Sequence, residues 1–135
     1  MKHAIWLLTL LALVATWPAA AGGAHDGVEE RARKCLATPQ GQTTAGMAEC
    51  SHQAYVAYDK QMNELYQRVL QSVDPKSREL IREAQRRWLA YRQAQQAADQ
   101  GPWSADRGSM VVPDIEALHI DALRTRMEEL RYYAP

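Results

Sequence analysis

An excess of either charge is missing from this sequence: 16 Lys and Arg stand against 16 Asp and Glu in 135 residues, for a formal net charge of zero. That balance removes the electrostatic footprint of a general nucleic-acid binder or of a polybasic membrane-surface protein. Cysteine is scarce as well, and two residues are too few to make a structural zinc site by themselves. No apolar run reaches the roughly 20 residues that cross a bilayer as a helix, and no segment reads as a strand. Glycine-rich loops beside strands are absent, and Ser51, Ser72, Ser77, Ser104 and Ser109 sit in no nucleophile-elbow context. No catalytic residue, cofactor or metal is expected, so the chain does not read as an enzyme. With 47% hydrophobic and 24% charged residues, what remains has the composition of one ordinary globular domain.

The first 24 residues stand apart from it. Lys2 and His3 precede an apolar run from Ala4 to Trp17, followed by Pro18 and the small residues Ala19 to Ala24. This is the pattern of a secretory signal peptide, with cleavage fitting after Ala21 or Ala24. The expected division is a leader over 1–24 and an exported domain over 25–135, with no membrane attachment once the leader is removed. No cysteine follows either cleavage point, which closes the lipoprotein route. Export places Cys35 and Cys50 in an oxidising compartment, where such a pair reads as a disulfide rather than as two thiols. Between them lie Pro39, Gly41, Thr43, Thr44 and Gly46, turn chemistry with little to bury. Closing a loop of about 16 residues is worth on the order of 3 kcal/mol.

Beyond the staple, three segments carry helical periodicity. Thr43 or Thr44 can cap a stripe of Met47, Cys50, Ala54, Tyr58, Met62, Leu65, Val69 and Val73. Asp74-Pro75 ends it and starts the next, since Asp is a good N-cap and Pro fits the first helical position. Leu80, Ile81, Ala84, Trp88, Tyr91 and Gln95 then line one side up to about Asp99, where Gly101-Pro102 breaks the pattern. A third stripe runs through Pro113, Ile115, Leu118, Ala122, Leu123, Met127 and Leu130, and a minor extra helix fits Val28 to Leu36. The expected fold is all-α, a small antiparallel three-helix bundle with a disulfide-stapled N-terminal loop.

Several motifs along these helices fall in a familiar order: Cys35, Thr44-x-x-Met47-x-x-Cys50, Asp59, Met62-Asn63-x-x-Tyr66, Leu80, Ala84-Gln85-x-x-Trp88-x-x-x-Arg92, Gly108-Ser109 and Arg126-x-x-x-Leu130. In these features the chain resembles the LprI-like lysozyme inhibitor family from about Cys35 to Arg131. The resemblance implies an exported helical domain and, as for some members, lysozyme as the partner. Members often carry a second cysteine pair, which would align near Gln96 and Leu118. Both cysteines are absent here, so a complete cross-link is missing rather than one thiol left odd.

Most of the motif residues have structural explanations. Trp88 and Arg92 are one helical turn apart, so the guanidinium can lie over the indole or bridge to a carboxylate on another helix. Asn63 reads as a partly buried amide bonding across the bundle, with Tyr66 beside it on the same helix. Arg78, Arg82 and Arg86 read as a solvated face, with Glu79 and Glu83 beside them. Glu116-x-x-His119 has the spacing of a di-metal ligand pair but lacks the second copy such sites need. The segment from Gly101 to Val112 is the candidate partner-binding element, with Trp103, Ser104, Arg107 and Ser109 as its contact residues. A tryptophan in such a connection is either a lid on the core or an anchor for a partner. Two functions remain: a periplasmic or secreted module that binds and inhibits lysozyme, or an envelope-associated domain with another partner.

Overall fold

The computed structural model describes residues 25–134, whose regular elements are all helices. The expected leader over 1–24 lies outside the described residues. The three long helices and the minor helix expected over Val28 to Leu36 are present, and a short 3-10 helix is added to them: α1 His25–Leu36, α2 Thr44–Ser72, α3 Pro75–Asp99, the 3-10 helix Pro102–Arg107, and α4 Val111–Arg131. The extra helix α1 is part of the core. Val28 is buried with Ala32 packed beside it, and Glu29 meets Arg124 of α4 at 2.8 Å. Two inward apolar positions are too few for periodicity to give α1 full weight.

The turn chemistry acts where the sequence places it. Thr43 caps α2, its hydroxyl accepting from the Gly46 amide, while Thr38 accepts from the Gly41 amide. Cys35 at the end of α1 and Cys50 in α2 form the disulfide, with Cα atoms 5.7 Å apart. Gly41 is required in this loop, because a Cβ there would lie 2.1 Å from the Cys35 carbonyl oxygen. Asp74 caps α3 through the Lys76 and Ser77 amides, and the Ser77 hydroxyl beside it holds its carboxyl below the usual range. Arg78, expected on a solvated face, instead turns back and donates to the Leu70 and Val73 carbonyls. It thereby satisfies acceptors that the end of α2 would otherwise leave open.

The core runs along α2 and α4: Ala54, Tyr58, Met62, Leu65 and Val69 pack with Leu123, Met127 and Leu130. The first and third stripes are correct apart from Leu118, which is 63% exposed. On α3 the expected face is displaced. Of the expected residues Ile81 is buried and Trp88 packs against the core, but Leu80 and Tyr91 are 66% and 62% exposed, Gln95 is exposed too, and Gln85 is buried instead. The residues facing α2 and α4 step through Ile81, Gln85, Trp88, Arg92, Gln96 and Asp99, a strip that becomes steadily more polar toward its end. A polar inward strip is legible only if its partners are known. Buried Gln85 donates to the Met62 sulfur at 3.3 Å and accepts from Arg126 Nε at 2.9 Å. Arg126 is itself buried and reaches Glu129, so the charge is paired.

Candidate functional site

The polar part of α3 meets the first half of α2 and the first half of α4. Arg92 Nη1 donates to Asp59 Oδ1 at 2.6 Å, and its Nη2 donates to the Tyr55 hydroxyl. Gln96 donates to the same hydroxyl at 2.8 Å. The guanidinium also lies over the Trp88 ring, 5.5 Å from its centroid, so Arg92 both stacks and bridges to another helix. Burial opposes the Arg92 charge, but the bonds to Tyr55 and Asp59 outweigh it and raise the Arg92 pKa. Asn63 does not bond across the bundle as expected. It is exposed and donates to the Asp59 carbonyl and carboxylate on its own helix, steadying the group that holds Arg92. Tyr66 is half-buried against the core.

Two histidine–carboxylate contacts complete this end. His119 Nε2 of α4 lies 2.9 Å from Asp99 Oδ2, whose other oxygen accepts from Gln95. The His119 contact holds the Asp99 carboxyl below its ordinary value, against the opposing effect of burial. His52 Nδ1 of α2 lies 3.4 Å from Glu116 Oε1. Glu116 and His119 therefore face different partners, and among the described residues no group of three His, Cys, Asp or Glu side chains could hold a metal ion. Behind them opens a cavity of about 460 Å³ bordered by α2, the end of α3, the 3-10 helix and α4.

The candidate contact segment sits at this same end. Ser104 donates its hydroxyl to the Gly101 carbonyl, which closes the turn and commits that group internally. Trp103 is 47% exposed, so it is not a lid over the core. Its indole N–H donates to the Ala98 carbonyl at 2.6 Å, and the Arg107 guanidinium lies 5.4 Å from its ring centroid. Trp103 and Arg107 are thus brought together as one exposed stacked pair, four residues apart in the 3-10 helix. Ser109 is exposed beyond Gly108, which has φ 76°. That is the left-handed region glycine favours, and a side chain there would be strained. Met110, Val112 and Leu118 add exposed apolar surface nearby in sequence.

Sequence reasoning missed Tyr55 as the hub joining α2 to α3, and it missed the pairing of Asp99 with His119. The signals were present as residue types, but 37 positions separate Tyr55 from Arg92 and 20 separate Asp99 from His119. No local spacing reports such contacts. With this geometry in place, comparison with known proteins is informative. The family model described as lysozyme inhibitor LprI matches residues 35–130, and the chain belongs to that family. No curated protein and no solved structure matches it.

Proposed function

We propose that this chain is an exported, non-enzymatic binding module that inhibits a lysozyme by direct contact. The observation that carries the reading is the family match across residues 35–130. The leader-like pattern over 1–24 supports export to the periplasm or medium, and no described helix is long and apolar enough to cross a membrane. Lysozymes cleave a glycosidic bond with two carboxyl groups in a cleft, so an inhibitor need only fill the cleft or engage those acids. The stacked Trp103–Arg107 pair offers both an apolar anchor and a guanidinium able to meet a carboxylate. Ser109, exposed on the same segment, adds a hydroxyl, whereas Ser104 serves the fold of that segment. We infer as well that α2 and α3 run antiparallel, with α4 parallel to α2. The pairings Tyr55 with Gln96, Met62 with Gln85, and His52 with Glu116 support that order.

A cell-wall lysis assay with several lysozyme classes tests the function, and a Trp103→Ala, Arg107→Ala variant tests the surface. The wild type is expected to inhibit, and the double variant to bind at least about tenfold more weakly while keeping its helical circular dichroism. Inhibition that survives the double substitution removes the contact segment from the reading. No inhibition by the wild type removes the lysozyme and leaves an envelope-associated domain with another partner.

A further inference from the structure

Helix α1 has little to hold it apart from one covalent link. Of its 12 residues Val28 is buried with Ala32 packed beside it, and Glu29 meets Arg124 between side chains that are each about half exposed. An exposed ion pair contributes little, and a helix this short is marginal without tertiary support. Its seat on α2 is also imperfect. A cavity of about 60 Å³ opens between the two helices, bordered by Val28, Ala32, Ala54, Ala57 and both cysteines. The segment 37–43 that follows is exposed apart from Gly41, and its hydrogen bonds run within it or to the helix ends on either side. The strong tie that remains is the disulfide from Cys35 to Cys50.

The two ends of that tie are unequally protected. Cys50 is buried in α2, whereas Cys35 is half-buried at the end of α1. Thiol–disulfide exchange depends on access to the sulfur attacked, so Cys35 offers the entry. We infer that this disulfide is a redox-operated clasp: a dithiol reductant opens it, and α1 then leaves α2 while α2, α3 and α4 stay folded together. One thiolate of the reductant attacks Cys35 Sγ, forming a mixed disulfide and breaking the bond to Cys50 Sγ, which leaves as a thiolate and takes up a proton. The second thiol of the reductant then displaces Cys35, so the protein gains two electrons and two protons and the reductant becomes a disulfide. Release uncovers Val28, Ala54 and Tyr58, all buried while the clasp is closed. The rest of the core, from Met62, Leu65 and Val69 to Leu123, Met127 and Leu130, is supplied by α2 and α4. The inference does not rest on lysozyme inhibition, because it concerns how the domain answers a reducing change in its surroundings.

The test is amide hydrogen exchange, read by mass spectrometry, on the full mature chain before and after equilibration with dithiothreitol at neutral pH without denaturant. Reduction is expected to speed exchange over 28–36 by about tenfold or more, to leave 62–70 and 123–130 protected, and to be reversed by reoxidation. A Cys35→Ala, Cys50→Ala variant should show the reduced pattern with no reductant present. Unchanged protection of α1 after reduction, a loss of protection that extends through α2 and α4, or a disulfide that opens only in denaturant overturns the proposal. A double variant that fails to fold overturns it as well, since the bundle would then depend on the link. The outcome of the lysis assay has no bearing on these readouts, so the two proposals fail separately.

Discussion

Where the second half of α2 meets the start of α3 and the end of α4, the inward residues are Met62, Leu65, Val69, Leu70, Ile81, Met127 and Leu130. At the opposite end the same three helices meet through Tyr55, Asp59, Arg92, Gln96, Asp99 and His119. The first set is held by burial, which is non-directional and indifferent to protonation. The second is held by directional bonds among charged and polar groups, each of which depends on its partner being present and correctly ionised. The disulfide between Cys35 and Cys50 reinforces the helices that lead into this second end. The exposed Trp103–Arg107 pair and the cavity lined by Glu116 and His119 lie at this end too.

The comparison can be broken by measurement, starting with the largest effect. Leu123 is fully buried between the two regions, and Leu123→Ala should destabilise the protein by about 2–5 kcal/mol in a urea titration at any pH where the chain is native. Asp99→Asn, at the polar end, should cost less, about 1–3 kcal/mol near neutral pH. Its pH dependence is the sharper readout. The contact with His119 holds the Asp99 carboxyl below the ordinary range of an aspartate, so the wild type has the full benefit above that range and loses it as pH falls through the lower folded value. Wild type and Asp99→Asn should therefore converge in stability in strong acid, while wild type and Leu123→Ala remain apart. If Asp99→Asn proved as costly as Leu123→Ala, or failed to converge, the two ends would not differ in the way their contacts indicate. Smallest of all, Arg82→Ala should shift stability by no more than about 0.5 kcal/mol, since Arg82 and Glu79 form an exposed pair on α3. A larger loss would mean that the outer face of α3 is holding something in place.

Legibility in the sequence follows the same division. The boundaries at Thr43 and Asp74-Pro75, the stripes on α2 and α4, and the linkage of Cys35 to Cys50 were all readable, because each rests on residues close together in the chain or on a repeated apolar spacing. The inward face of α3 was readable only at Ile81 and Trp88. Apolar spacing selects Leu80 and Tyr91, yet the helix turns Gln85, Arg92 and Asp99 inward, since those groups find partners on α2 and α4. Asn63 was misassigned for the related reason that its acceptor lies on its own helix. At the candidate site, the pairing of Trp88 with Arg92 was readable from a single helical turn, whereas the stacking of Arg107 on Trp103 required the 3-10 helix to be known.

The sequence alone determined the helical class, the helix ends, the disulfide and the family, because capping chemistry, turn residues and period-3.6 burial act over a few residues and leave a local record. Only the tertiary structure decided which face of α3 is inside, that Tyr55 joins two helices, that Asp99 meets His119, and that Glu116 meets His52. Those outcomes depend on the rotation of one helix against two others. A polar side chain is buried or exposed according to whether a partner from a distant part of the chain arrives to satisfy it, and no spacing within a single helix encodes that arrival.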